Sequence, residues 1–406
     1  MKAFFLSLLF IGVFGYNCKD EDKNEVQWWV LKHHPKAYGD LKFHAVTSDS
    51  TEWLDGKDVG VMSNKVRFRK CRKLKYNFQN LLYHAVNQLY AAGDEGGFQF
   101  NDDEGYILYN DQTNHTWHNS LSVPIGQLDQ ADHGHTKGIL MFSKTRNRLM
   151  WLLHTAPLFP LPRKTVYHYM DRQKVRGQTF LCLTLPFDKL STIMRLLTIS
   201  AVNPYDHYVG SEIYDNDENV RKIIRGDYAR GCNIENCKQS AKIKLVGETE
   251  IEIFVKSSSE VYDIYEHVAR KLDLPLDAQT YLVDKSGYGE VYESGCRDTR
   301  RQVQNVLQHK FADLDEPYTY TCDHSKYALA ATDDDNKKFF CFGDLNRTKS
   351  QSSRAGGVVC FMSKLVHKFL WEAIESRMTC PFGGYSTIDK ISFSAPCDEP
   401  EEVGTK

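Results

Sequence analysis

Two tripeptides in this 406-residue chain have the residue types and spacing for acid–base work on a phosphate. They are His135-Thr136-Lys137 within GHTKG and His324-Ser325-Lys326 within DHSKY. On a strand, residues i and i+2 share a face, so each tripeptide is expected to set an imidazole beside an ammonium. A neutral imidazole can attack phosphorus, and a protonated one can donate to a departing alkoxide. Two such pairs facing each other would clamp one phosphate between two lysines, with a histidine on either side. That arrangement supports phosphoryl transfer through a phosphohistidine without a metal. A single His-x-Lys is usually no more than a half-exposed strand, so the weight rests on the repetition and its surroundings. The chain contains no His-Glu-x-x-His, Walker loop or EF-hand sequence to offer a competing metal or nucleotide site.

The surroundings do repeat. Upstream of the first motif, NLLYHAVNQLYAAG (80–93) has helical apolar spacing and stops at Gly93. FQF and YILYN around an Asp-rich turn predict a hairpin; GILMF and RLMWLLH predict two strands joined by SKTRN. TFLCLTL (179–185) predicts a buried strand, followed by a helix over FDKLSTIMRLLTIS. In the second half, residues 242–255 alternate as a hairpin and 260–274 form an amphipathic helix pattern. The second motif lies in a strand-like stretch (318–332), followed by a polar turn, the strand FFCFG and a long helix over 360–377. Each His-x-Lys is thus followed by a turn, an apolar strand and a helix. The reading is α/β, with two halves meeting between residues 205 and 240, where turn formers cluster.

The N-terminus carries one lysine before an apolar run over residues 3–14, and then Gly15. This is the pattern of a secretory signal peptide, too short to span a bilayer. No later stretch reaches ~18 apolar residues, so a soluble exported protein with no membrane partner is expected. Eleven cysteines in an exported chain imply disulfides with at least one thiol left over. Cys232 and Cys237 are expected to form a small local disulfide, the alternative being half of a zinc site. Asn114 and Asn346 begin glycosylation sequons. The formal charge of −2 is poor for holding a polyanion, but protonating all 15 histidines would carry it to about +13 in acid. KVRFRKCRKLK (65–75) has seven basic residues; such a run is usually a solvated face, and it can also contact the phosphates of a bound polyanion.

GHTKG and DHSKY resemble the two signature motifs of the deoxyribonuclease II family, within the phospholipase D superfamily. VQWWVLKHHP (26–35) is similar to that family's Val-Asp-Trp-Trp segment. YILYND, WLLHTAPLFP, GQTFLC and FCFGDLNR followed by GGVVC resemble further family blocks, in the same order. The likeness runs from residue 18 to about 380. It implies a secreted or lysosomal, metal-independent acid endonuclease that leaves 3′-phosphate ends on DNA, with no small-molecule cofactor. It also implies a monomer built as a phospholipase D-like pseudo-dimer of two α/β/α halves with mixed sheets. The division expected is a signal peptide (1–15), an N-terminal half (16–215) and a C-terminal half (216–406).

By the same resemblance, His135 with Lys137 and His324 with Lys326 are the catalytic pairs; the expected assignment makes His135 the nucleophile and His324 the general acid, the alternative being the reverse. His154 matches a third functional histidine that supports the nucleophile, and Asn346 matches an asparagine that orients phosphate and histidine. Cys18–Cys182, Cys296–Cys380 and Cys341–Cys360 are the implied disulfides, leaving Cys71, Cys322 and Cys397 without obvious partners. The chain departs from the family pattern at four places. Gln27 replaces an Asp, His33 stands at a Lys position, Cys322 replaces an acid and Tyr327 replaces a Trp. The alternative reading is a weak or inactive secreted homologue that binds DNA or a host protein without cutting.

Overall fold

The computed structural model describes residues 16–38, 43–50, 80–90, 100–113, 133–165, 167–283, 291–294, 300–312 and 314–378. The leader, the basic run, Asn114 and Cys296–Cys380 therefore lie outside the described residues. A short ladder, β1 (Cys18–Lys19) with β2 (Glu25–Val26), precedes the first large sheet. That sheet holds β3 (Trp28–His33), β4 (Phe43–Thr47), β5 (Glu104–Asn110), β6 (Lys137–Ser143), β7 (Arg148–His154), β8 (Gln178–Leu185) and β9 (Pro204–Val209). Their order is β4-β3-β8-β7-β6-β5-β9.

The second sheet holds β10 (Ser240–Lys244), β11 (Glu250–Lys256), β12 (Leu276–Gln279), β13 (Val303–His309) and β14 (Tyr318–Thr319). It continues with β15 (Tyr327–Ala330), β16 (Phe339–Gly343), β17 (Gly356–Met362) and β18 (Ile374–Arg377). The order is β10-β11-β17-β16-β15-β12-β13-β14, with β18 also on β13. Position for position, the first seven strands repeat the first sheet. Every neighbouring pair in the first sheet is antiparallel. Only the second is mixed, through the parallel pair β12–β13.

Period-two alternation explains how the sheets pack. On β3, Trp28 and Val30 face a core shared with Ile251, Phe340 and Phe361 of the second sheet, while Trp29 and Leu31 face a separate core with the helix Leu81–Tyr90. Trp28 and Phe361 meet across the seam with ring centroids 4.9 Å apart. Helices Leu190–Ile199 and Lys364–Glu372, which follow β8 and β17, both add leucines to the shared core. No helix among the described residues is long and apolar enough to cross a membrane.

Three element expectations change. YILYN is β5, whose partners are β6 and β9 rather than the FQF segment, of which only Phe100 is described. The helix expected over 360–377 is shorter, because Cys360 is held in β17 opposite Cys341. Ser363 caps the helix by accepting from Val366 N, and β18 follows at Ile374. His135 and His324 stand just before β6 and β15, not within them.

Candidate active site

Each motif hangs on the opposite sheet. The amide of His135 donates to Ala355 O, one residue before β17, at 2.9 Å; that of His324 donates to Gly177 O, one residue before β8, at 2.8 Å. A Cβ on Gly177 would lie 2.4 Å from Asp323 Oδ1 and 2.8 Å from Lys32 Nζ, so the close approach requires glycine there. The two sheets thus exchange equivalent hydrogen bonds at one place, and the two His-x-Lys motifs meet there. Lys326 helps to depress His135, and Lys137 and His135 help to depress His324.

His135 is well fixed. Its Nδ1 lies 2.7 Å from the main-chain oxygen of Asp344. A carbonyl only accepts, so Nδ1 carries the hydrogen and Nε2 keeps its lone pair. Nε2 is 3.7 Å from Asp111 Oδ2. Asp111 also pairs with Lys137 Nζ, and with Arg354 Nη2 at 3.1 Å. Burial alone would raise the Asp111 carboxyl, but these cations hold it below the usual carboxylate range. Burial first, and Lys137 second, push the His135 imidazole well below its ordinary value.

The second motif is built differently. Strand register places Asp111 and Tyr281 at equivalent points: Asn110 faces Lys137 across β5 and β6, and one step beyond Gln279–Tyr327, Thr280 faces Lys326. Where the first site has a carboxylate, the second therefore has the Tyr281 ring, edge-on to His324 with centroids 4.4 Å apart. The guanidinium of Arg176 lies over that ring at 5.3 Å. Lys326 Nζ donates to His324 O at 2.8 Å. Burial, then Lys137, lowers Lys326 to about 7. His324 is pushed well down by burial and then Lys326. Burial thus biases both imidazoles toward the neutral form.

His154 ends β7 across from Lys137, packed edge-on against Phe159 at 5.2 Å. Burial pushes the imidazole down to about 3, opposed only in part by the backbone at Ala156. Asn346 is partly buried. Its Oδ1 accepts from Tyr281 N at 3.3 Å, and the Tyr281 ring lies edge-on to His324. Asp344 accepts from Gly357 N at 2.9 Å, and burial raises its carboxyl to about 7.

Cys18–Cys182, Cys232–Cys237 and Cys341–Cys360 are disulfides, with Cα separations of 5.8, 5.5 and 4.0 Å. Cys322 is disulfide-bonded as well, correcting the expectation that it had no obvious partner. The departures at 33 and 327 leave ordered contacts: Lys32, next to His33, binds Asp323, and the Tyr327 hydroxyl lies 2.7 Å from His309 Nε2. Asp111, Tyr281, Asp344 and Arg354 were not singled out from sequence. The one available signal was an acid at the end of the strand in YILYND, whereas the others join the site only through folding.

A family model described as Deoxyribonuclease II matches residues 17–380. Curated relatives include Plancitoxin-1 of Acanthaster planci, 26% identical over 373 residues covering 90% of this chain and 92% of the relative. Deoxyribonuclease-2 of Caenorhabditis elegans is 25% identical (88% and 92% covered), and Deoxyribonuclease-2-alpha of Rattus norvegicus 24% (91% and 95%). Among solved structures, yeast tyrosyl-DNA phosphodiesterase aligns with a TM-score of 0.33 at 10% identity, over 65% of this chain and 84% of that one. The protein is a nuclease, a phosphodiester hydrolase acting on DNA. It belongs to the deoxyribonuclease II family.

Proposed function

We propose that this chain is an acid endodeoxyribonuclease that works through a phosphohistidine on His135, without a metal, and leaves 3′-phosphate ends. The observation that carries this reading is the 2.7 Å contact from His135 Nδ1 to Asp344 O, which leaves Nε2 unprotonated for attack. Nε2 forms a bond to phosphorus as the bond to the 5′-oxygen breaks, and His324 gives that oxygen its proton. His324, now neutral, takes a proton from water; the hydroxide oxygen displaces His135 from phosphorus and frees a 3′-phosphate. Lys137 and Lys326 hold the non-bridging oxygens, where cations fixed beforehand favour the transition state. Asn346 acts by holding Tyr281 against His324, and His154 by packing beneath Lys137. A sugar on Asn346 is disfavoured by the buried Arg347 and Thr348 beside it.

His324 gains its proton when a diester anion lies between the lysines, since that negative charge opposes the depression they cause. Export to an acidic lumen or outside the cell, and a monomeric state, complete the reading. The test is nicking of supercoiled plasmid near pH 5 with EDTA, followed by alkali-quenched trapping of the enzyme joined to a 5′-end-labelled oligonucleotide. Label on His135 is expected. A need for added magnesium, or label on no histidine, overturns the proposal.

A further inference from the structure

The two motifs are braced by different means, and the difference lies beneath the second one. Lys32 on β3 is fully buried, and its Nζ donates to Asp323 Oδ1 at 2.9 Å, Ser325 Oγ at 2.8 Å and its neighbour His33 O at 3.1 Å. Asp323 Oδ1 also accepts from Ser325 N at 2.9 Å. Asp323 and Ser325 are the residues on either side of His324. One ammonium from the first sheet therefore grips both flanks of a histidine on the second.

The backbone beside His135 is held differently: Arg354 Nη2 from the second sheet's side donates to His133 O at 3.2 Å and to Asp111 Oδ2 at 3.1 Å, and no buried lysine bonds both flanks of His135 among the described residues. Lys32 faces Thr179 on β8, and the corresponding position on β11, facing Gly357 on β17, is Val255. The position corresponding to Asp323 is Gly134, where a Cβ would lie 1.9 Å from Ser200 O. The buried ion pair of the second site thus has an apolar residue and a glycine as its counterparts in the first. His135 is fixed instead through its ring, by the bond to Asp344 O. The ring of His324 has the edge contact with Tyr281 and no hydrogen bond among the described residues.

We infer that Lys32 is a positioning residue for the reaction: it fixes the backbone under His324, aiming the imidazole while leaving both ring nitrogens available for proton transfer. This inference rests on the assignment of His324 as the group that protonates the leaving oxygen. A buried cation paired with Asp323 fits this task better than a neutral side chain. Its two acceptors lie on both flanks of His324, and a charge-assisted bond tolerates little displacement.

The test compares Lys32→Met, His324→Ala and the double variant on DNA carrying a normal phosphodiester or a 5′-bridging sulfur at one linkage. A thiolate departs without a proton, so loss of proton donation matters only for the oxygen linkage. Lys32→Met is expected to fold, to lose about tenfold or more in kcat on the oxygen linkage with KM changed less than about threefold, and to lose far less on the sulfur linkage. The double variant should be no slower than His324→Ala. Lys32→Met retaining over half the wild-type kcat overturns the inference. So does a double variant about tenfold slower than His324→Ala, because Lys32 would then act elsewhere. If His324→Ala itself fails to distinguish the linkages, the acid assignment falls, and the double-variant comparison still judges Lys32. Should Lys32→Met not fold, Ser325→Ala removes one acceptor while keeping the ion pair. A kcat loss with unchanged KM supports the inference there, and wild-type kcat overturns it.

Discussion

His135 Nδ1 lies 2.7 Å from the carbonyl oxygen of Asp344, 209 positions later in the chain and on the other sheet. A main-chain acceptor cannot be removed by substitution at Asp344, so the tautomer of His135 is set by the fold rather than by a replaceable side chain. The two histidines are expected to be non-redundant for this reason. His135→Ala and His324→Ala should each lower plasmid nicking by at least about a hundredfold, the lower end of what proton transfer or nucleophile loss costs, with circular dichroism unchanged. Retention of a tenth of the activity by either folded variant speaks against a two-histidine mechanism.

The lysines should separate rate from affinity. Long DNA is held largely by many phosphate contacts, so Lys137→Ala and Lys326→Ala should reduce turnover much more than binding. Single-turnover rates at saturating DNA, set beside filter-binding affinities, check this. Unchanged turnover with poor affinity would make them docking residues.

Activity should rise as pH falls through about 7 and should survive EDTA. Lys326 is lowered to about 7 by burial and by Lys137, so it is neutral above that pH and cationic below it. The proton needed by His324 is also supplied only in acid, because its imidazole is depressed in the same direction. At still lower pH, protonation of His135 removes the nucleophile. The limbs of the resulting bell belong to the coupled groups together. A profile from pH 4 to 9 at constant ionic strength that peaks above pH 8 would contradict this.

Asp344 gives a stability effect of known sign. Its carboxyl is raised to about 7 by burial, so the folded state binds its proton more tightly than the unfolded chain does. Its contribution is therefore most favourable below the unfolded value, declines as pH rises, and is fully lost above about 7. Asp344→Asn should raise Tm at pH 8 relative to wild type and change it little at pH 4. A larger gain at pH 4 would reverse the sign.

Cys341→Ser cuts the link to Cys360 across β16 and β17, immediately behind the second motif. Loss of such a bond is expected to cost roughly 2–5 kcal/mol, measured by urea unfolding of the oxidised protein. Recovery of Cys341 and Cys360 as free thiols in peptide maps of the wild type would refute the bond.

The strands around the first motif were legible because a two-residue period and a polar turn leave little ambiguity: GILMF and RLMWLLH became β6 and β7. The segment 360–377 was misleading. Its apolar residues suit both a strand end and a helix, and only the facing Cys341 decides where one stops. The motif histidines were visible by spacing, but their surroundings were not. Asp111 and Tyr281 correspond only through strand register, and Lys32 meets Asp323 across 291 positions. The depressed imidazoles were equally invisible, since the chain's formula says nothing about burial.

The crossed bonds His135 to Ala355 and His324 to Gly177 carry a consequence for ancestry and design. Two identical subunits related by a true twofold axis would be bound to give both histidines the same surroundings, so any residue that improved one as a nucleophile would appear beside the other. Joining both sheets in one polypeptide lifts that obligation. Asp111 can stand opposite Tyr281, and Lys32 with Asp323 opposite Val255 with Gly134, without either choice being copied. A single sheet expressed alone would lack the carbonyl that anchors its own motif. Self-assembly of two copies would restore anchors but enforce sameness. Division of labour between the two imidazoles is thus a property that covalent continuity makes available.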